Sequence, residues 1–249
     1  GGRLGEVYGY ETDGFYTAEH FNWTGNAWEL KPEYADSRGG SGMTYSVFGP
    51  GALKLKTDEN GEVKKVRLGN TVAPVSGGFG FNGTVKGFDF NAFFTYFLGG
   101  KIVNATKLGS SYYLGSRKNW NLNDEMSLGN RYTWIDPANG ERMIDRAYIN
   151  KHGIDHAVNR LNELNAGASS YNPASVTNMP LLDWAVEDGS FLRLSNLTIG
   201  YSLPKKLANR MFISNIRIYA TGYNLFCLTN YTGADPEVDT RTQTPMTPG

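Results

Sequence analysis

Two adjacent stretches of the chain alternate between apolar and other side chains with a period of two residues. In residues 76–86 the odd positions carry Gly, Phe and Val, and in residues 88–98 the even positions carry Phe, Ala, Tyr and Leu. A period of two is typical of a β-strand with two different faces. Each stretch has the ~9–11 residues that a strand needs to cross a bilayer at a barrel tilt. The pattern predicts a long β-hairpin with a tight turn at Gly87.

A second pair of two-faced stretches lies within residues 191–224 and predicts a second hairpin. In its first strand, residues 197–203 place Leu, Ile, Tyr and Leu on one face, whereas Leu192 and Leu194 have the opposite parity. Two explanations of this change of phase stay open. Either a β-bulge lies near Ser195–Asn196, or the upper part of the strand has left the membrane.

The segments that connect these strands alternate in length. The turn at Gly87 is minimal, the segment after Gly99 is long, and the link at residues 204–212 is short again. Short periplasmic turns and long extracellular loops are typical of outer-membrane barrels. A soluble β-sandwich also has alternating strands and stays open as the alternative. Strand length, the frequent Phe on the apolar face and the alternating links favour the membrane.

The chain is thus predicted to be all-β, with one helix. A stripe of Ile154, Ala157, Val158, Leu161 and Leu164 predicts this helix, and Gly167 ends it. Short hairpins are expected in residues 8–16, around an Asp-Gly turn, and in residues 52–68, around an Asn-Gly turn. The predicted order is an extracellular loop region with short hairpins (1–75), a transmembrane hairpin (76–104), a long extracellular loop with a short helix (105–190), a transmembrane hairpin (191–229) and a loop before a further strand (230–249).

Composition agrees with strands and removes several classes of function. The 249 residues include 31 Gly, 15 Tyr and 13 Phe, a mixture that suits strands and turns. The formal net charge is zero, so nothing favours a nucleic-acid partner. Three His and one Cys offer little for a metal site, and we expect neither metal nor cofactor. No catalytic motif appears, so we expect no enzyme.

Specific motifs carry a resemblance to a known family. Residues 189–204, Gly-Ser-Phe-Leu-Arg-Leu-Ser-Asn-Leu-Thr-Ile-Gly-Tyr-Ser-Leu-Pro, resemble the C-terminal barrel of SusC/RagA-type TonB-dependent outer-membrane transporters. Residues 216–226, Asp235-Pro-Glu237 and the earlier Gly77-Gly-Phe79 resemble further segments of that family in the same order. Residues 49–68 depart from it, because they are Lys-rich where the family has an acidic turn.

The resemblance implies a larger assembly. It implies an antiparallel transmembrane β-barrel of about 22 strands with a plugged lumen, located in the bacterial outer membrane. It also implies a SusD-like surface lipoprotein as partner and the TonB complex as energy source. The expected function is import of an oligomeric nutrient, an oligosaccharide foremost or a peptide. A non-transporting glycan-binding or adhesin-like surface protein is the first alternative, and a secreted glycoside hydrolase is the second.

Four aromatic residues of the loops are candidates for stacking on sugar rings, although packing within the loops is the commoner role of such residues. They are Trp120, Tyr132, Trp134 and Trp184.

If the strands belong to a barrel, their side chains face either the lumen or the lipid. Predicted to face the lumen, in contact with the plug more than with substrate, are Arg193, Arg217, Tyr219 and Tyr223. Predicted to face the outer-membrane lipid are Phe79, Phe81, Phe90, Phe94, Ile216 and Ile218.

Overall fold

The structure is a computed structural model that describes residues 3–113, 121–210 and 212–237. The chain forms two compact units. Unit 1 comprises residues 1–6, 69–103 and 187–249, and unit 2 comprises residues 7–68 and 104–186. Within the described ranges, no helix is long and apolar enough to span a membrane.

Strands dominate the fold. They are β1 (Glu6–Gly9), β2 (Thr12–Phe15), β3 (Phe21–Trp23), β4 (Trp28–Leu30), β5 (Thr44–Tyr45), β6 (Leu53–Leu55), β7 (Val66–Asn70), β8 (Val75–Val85), β9 (Phe88–Leu98), β10 (Lys101–Val103), β11 (Val176–Asn178), β12 (Val186–Asp188), β13 (Phe191–Ser202) and β14 (Arg217–Thr229). The α-helices are α1 (Ala105–Gly109), α2 (Arg146–His152), α3 (Ile154–Asn165) and α4 (Lys205–Arg210).

Unit 1 is built on a four-stranded antiparallel sheet in the order β14-β13-β9-β8. The β8–β9 hairpin turns at Lys86 and Gly87, whose φ angles of 49° and 90° are both positive. Two central residues with positive φ give the turn type that matches the twist of a two-residue hairpin. The predicted hairpin at 76–98 is therefore confirmed. The described residues form an open sheet and no closed barrel.

The register brings the apolar positions of all four strands to one face. Phe79 pairs with Phe94, and Phe90 pairs with Ile199 on the next strand. Because side chains alternate across a strand, each such pair fixes the facing of the whole strand. This apolar face comprises Phe79, Phe81, Val85, Phe88, Phe90, Phe94, Tyr96, Leu192, Leu194, Leu197, Ile199, Tyr201, Ile218, Phe226 and Leu228.

A β-bulge explains the change of phase in β13. The register shifts between Leu194 and Asn196 in the pairings with both neighbouring strands. Ser195 is the extra residue relative to β9, and its hydroxyl lies 2.7 Å from the hydroxyl of Thr95. An extra residue reverses the parity of everything before it, which returns Leu192 and Leu194 to the apolar face. The bulge is thus the correct one of the two explanations.

Unit 2 has its own hydrophobic interior, and this differs from the picture of two separate loops. One buried cluster combines Tyr16, Phe21 and Trp28 with Tyr132, Met143 and Leu161. A second cluster combines Leu53 and Leu55 with Met126, Tyr171, Val176 and Leu182. Residues 7–68 and 104–186 therefore fold together around shared cores.

The predicted helix is confirmed as α3, in which Ala157 and Leu161 are fully buried. The prediction of one helix was too low, because α1, α2 and α4 were missed. Each of these has seven residues or fewer, too short to show a helical period in sequence. Helix α4 also occupies the link between β13 and β14, so that β14 begins at Arg217 rather than at residue 213.

The short hairpins near the start of the chain were predicted with the wrong partners. Asp13 and Gly14 lie inside β2 rather than in a turn, and β1 and β2 pair with β7 and β6. The Asp58–Gly61 turn does form, but only a single bridge between Thr57 and Val63 closes it. The Asn-Gly turn signal is satisfied and the Asp-Gly signal is not, and the strands β1, β2 and β6 use distant partners.

The buried carboxylate of Asp136 joins the segment before helix α2 to helices α2 and α3. Asp136 accepts hydrogen bonds from Arg160 (Nη2, 3.1 Å), the Tyr148 hydroxyl (3.2 Å) and the amide of Ala138 (3.0 Å). The hydrogen bond from Arg160, above all, holds the pKa of Asp136 below its usual value. A carboxylate with a lowered pKa contributes stability that is present above the unfolded pKa and lost as pH falls through the folded one.

We therefore predict that Asp136 stabilises unit 2 fully at pH 5–7 and loses this effect below about pH 4. Asp136→Asn should lower the melting temperature at pH 7, measured by Trp fluorescence of the purified protein, and should flatten its fall below pH 4. Glu163→Gln is the matched control, because this carboxylate also pairs with Arg160 but is largely exposed. Equal melting curves for Asp136→Asn and wild type at pH 7 would contradict the role of Asp136.

Candidate functional site

The face of the four-stranded sheet opposite the apolar face mixes polar, charged and aromatic side chains. We call it the polar-aromatic face. It comprises Asp89, Asn91, Phe93, Thr95, Phe97, Phe191, Arg193, Asn196, Thr198, Gly200, Arg217, Tyr219, Thr221, Tyr223 and Cys227.

An ion pair crosses this face over a glycine. Arg217 donates two hydrogen bonds to Asp89, from Nε to Oδ1 at 3.0 Å and from Nη2 to Oδ2 at 2.5 Å. The two residues lie on β14 and β9, and Gly200 of β13 is opposite Asp89 in the register. A Cβ atom on Gly200 would lie 2.6 Å from the Asp89 carboxylate and 2.7 Å from Arg217. The glycine thus leaves the space that the ion pair occupies.

A second arginine on the same face is buried and paired. Arg193 is 7% exposed, and its Nη2 donates to Asp235 Oδ1 at 2.6 Å. Its Nε also lies at ion-pair distance, 2.8 Å, from Glu237 Oε2. Buried charges persist in proteins when they are paired. Arg193 therefore fixes the Asp235-Pro-Glu237 segment that follows β14.

Three of the four residues predicted to face the lumen lie on β14, and all four lie on the polar-aromatic face. Tyr219 and Tyr223 are well exposed, and the guanidinium of Arg217 lies 4.9 Å from the Tyr219 ring. Of the residues predicted to face lipid, Phe79, Phe81, Phe90, Phe94 and Ile218 lie on the apolar face. Ile216 lies just before β14, and its carbonyl accepts a hydrogen bond from Leu203.

The loop aromatics occupy different environments. Tyr132 and Trp134 are buried in unit 2, and Trp134 donates from Nε1 to the carbonyl of Pro50 at 2.6 Å. Their burial supports a packing role. Trp184 is half-buried and lines a cavity of about 190 Å³ with Glu125, Met126 and Tyr171. Trp120 lies outside the described residues.

A second recess of unit 2 is lined mostly by residues that the sequence did not single out, with Trp134 as an exception. This cleft has a volume of about 500 Å³ and is lined by Tyr113, Arg131, the buried Trp134 and Arg142, among others. The arginines belong to a segment with little regular structure and no periodic pattern. Only their arrangement in space brings them to one cleft.

Two groups of titratable side chains in the described part of unit 2 have local partners. Asp58 accepts hydrogen bonds from Lys64 and from two backbone amides, which lowers its pKa to about 2. His152 stacks on His156 and lies 3.1 Å from Glu141 Oε2. Across the described ranges, no group of three or more His, Cys, Asp or Glu side chains could hold a metal ion.

Sequence comparison relates the chain to transport proteins. No model of a protein family matches it. TonB-dependent receptor P3 of Formosa agariphila is 29% identical over 245 residues, which are 97% of this chain and 19% of that protein. TonB-dependent receptor P39 of the same organism is 24% identical, over 97% of this chain and 23% of that protein. TonB-dependent receptor SusC of Bacteroides thetaiotaomicron is 31% identical over 107 residues, or 37% of this chain and 11% of that protein.

The chain is similar in sequence to TonB-dependent receptors, SusC among them, in agreement with its resemblance to the SusC/RagA type. The similarity agrees with the expected outer-membrane location and with the expectation of a transport protein rather than an enzyme. The chain spans about a fifth of the length of the two curated receptors that it matches almost throughout.

Solved structures show the same fold. A structure of the RagAB peptide transporter matches 94% of this chain with a TM-score of 0.55 and 21% identity, and the match covers 20% of that structure's chain. The closed-closed state of the RagAB peptide importer matches with a TM-score of 0.53. At this identity the likeness concerns the fold alone.

The ion pair over Gly200 yields a prediction for the receptor. A methyl group at Gly200 meets the ends of two side chains, so it should displace the Asp89–Arg217 pair rather than the backbone. Gly200→Ala and Asp89→Asn should each lower the temperature at which the full-length receptor unfolds in a gel band-shift assay. The double variant should unfold at about the same temperature as the less stable of the two single variants, because both changes remove the same interaction.

The matched control is Gly39→Ala, since a Cβ at Gly39 meets no atom within 4 Å. Gly39→Ala should leave the unfolding temperature of the wild type unchanged, and it should leave that of the Asp89→Asn variant unchanged as well. Simple additivity of Gly200→Ala and Asp89→Asn would contradict the proposed coupling.

Proposed function

We propose that this chain is part of a transporter that imports an oligomeric nutrient, foremost an oligosaccharide, across the outer membrane with energy from the TonB complex. One observation carries the proposal. A sheet of four long strands keeps a continuous apolar face, in a chain that is similar along 97% of its length to a TonB-dependent receptor.

The sheet is proposed to be a section of a barrel wall of about 22 strands. Several apolar-face side chains, including Phe81, Phe88, Ile199 and Ile218, are more than half exposed. Exposed apolar surface of this extent marks a contact with lipid or protein. If this apolar surface faces lipid, its side chains would contact the hydrocarbon core of the bilayer. The backbone groups at the outer edges of β8 and β14 would then pair with neighbouring strands, because hydrocarbon offers them no other partner.

The polar-aromatic face is proposed to line the lumen. Its paired charges, Arg193 with Asp235 and Glu237 and Arg217 with Asp89, suit a surface against a plug or water rather than lipid. Unit 2 is proposed to be the extracellular part of the chain. There Trp184 and the cleft near Trp134 would meet the substrate or a SusD-like lipoprotein partner.

Uptake measurements test the proposal. A strain that lacks the gene for this receptor should lose growth on at least one member of a panel of oligosaccharides and peptides, and the full-length gene should restore it. Restored growth should disappear when TonB is inactivated. Binding of a glycan at the cell surface without TonB-dependent uptake would instead identify a surface adhesin and would contradict import.

Degradation of the same glycans by the purified receptor would contradict the proposal in another way. Hydrolysis requires two carboxylates on opposite sides of one cleft. We expect no products, and a measured release of shorter sugars would favour the hydrolase alternative.

A further inference from the structure

The cleft in unit 2 carries two guanidinium groups and no acidic side chain in its lining. Arg131 and Arg142 both line it, together with Tyr113, Trp134 and Ile135. Its volume of about 500 Å³ lies within the roughly 300–1,000 Å³ that is usual for small-ligand sites. The walls of the cleft therefore have the size of a binding site and a net positive charge.

The charge of Arg131 is not neutralised by any residue that the structure describes. Its side chain makes no ion pair and no hydrogen bond with any residue of 3–113, 121–210 or 212–237. Arg142 contacts Asp145 at 3.6 Å, a long ion pair between partly exposed groups, and lies over the Trp134 ring at 5.1 Å. A half-buried arginine without a partner presents its planar donor fork to whatever enters the cleft.

The backbone around the cleft has little to offer an extended peptide. The amides of Val47 and Tyr113 donate to the carbonyls of Ser175 and Pro173, and the amide of Ala174 donates to the Asn172 side chain. Strand addition needs free backbone donors and acceptors along an edge. Recognition in this cleft must therefore depend chiefly on side chains.

We propose that this cleft binds an acidic oligosaccharide, with the Arg131 guanidinium holding a carboxylate or sulfate group of one sugar. Guanidinium and carboxylate form bidentate, charge-assisted hydrogen bonds, and a sulfate offers the same oxygen geometry. The Tyr113 ring, 49% exposed at the cleft, can cover the C–H face of the sugar. Arg142 adds a second positive charge to the lining. The inference rests on the proposed import function and narrows its substrate class.

Calorimetric titration of the full-length receptor tests the inference with four probes. They are tetragalacturonate, a sulfated carrageenan tetrasaccharide, neutral maltotetraose and tetraglutamate. At least one of the two acidic sugars should bind about tenfold more tightly than maltotetraose, in line with the strength of charge-assisted hydrogen bonds. Comparison of these two sugars distinguishes carboxylate from sulfate as the group that is bound. The affinity should fall with added salt.

Variants locate the binding in the cleft. Arg131→Gln should weaken the better acidic sugar about tenfold, and Arg131→Lys should retain most of the affinity because it keeps the charge. Arg146→Gln is the matched control, since Arg146 is an exposed arginine of unit 2 that hydrogen-bonds Asn26 and does not line the cleft. Trp fluorescence melting should show that Arg131→Gln is folded, because the Arg131 side chain makes no hydrogen bond or ion pair with the described residues.

Several results would overturn the inference. Equal binding of maltotetraose, unchanged affinity in Arg131→Gln, or preferential binding of tetraglutamate would each do so, the last by assigning the cleft to acidic peptides. TonB-dependent uptake of a neutral glycan without Arg131-dependent binding of acidic sugars would leave the import function standing while the inference fell. Arg131-dependent binding without any TonB-dependent uptake would contradict the import function and leave the binding of acidic sugars standing.

Discussion

The four long strands depend on one constraint, that apolar side chains stay on a single face of the sheet along the full length of each strand. A strand of eleven to thirteen residues meets this constraint only if its register with both neighbours is kept. In β13 the sequence changes phase, and the bulge at Ser195 restores the facing. Asn224, whose φ angle is positive, lies where β14 adjusts to β13. The bulges thus keep Leu192 and Leu194 on the apolar face.

The opposite face depends on the apolar one, because the same register sets both. It brings Asp89 and Arg217 to either side of Gly200, where only a residue without a side chain leaves room for their contact. It also places Arg193 where Asp235 and Glu237 can reach it from the segment after β14. Each arginine of this face is therefore paired with at least one carboxylate. Unit 2 differs, because its cleft keeps one guanidinium, that of Arg131, without a partner among the described residues.

Local pattern predicted what local physics determines. The hairpin of β8 and β9 and helix α3 follow from periods of two or 3.6 residues and could be inferred from sequence. The change of phase near Ser195 was also visible in the sequence, but it left the bulge as one of two explanations. The shared cores of unit 2 could not, because they join segments that are far apart in the chain and have no common period. Residue type also could not decide whether Tyr132 and Trp134 pack in a core or bind a ligand, since an aromatic ring suits a buried core as well as a binding surface. The cleft around Arg131 was not predicted either, because residue type does not show which side chains share a cleft.

Spin labels on single cysteines would test most directly that the apolar face meets lipid. In a Cys227→Ser background of the full-length receptor, one label at a time would replace Phe90, Asn91, Thr198 or Ile199, neighbours on β9 and β13. In outer-membrane vesicles, labels at Phe90 and Ile199 should be relaxed more by oxygen, and labels at Asn91 and Thr198 more by a water-soluble nickel chelate. Loss of this alternation, or its reversal, would contradict a membrane-facing sheet.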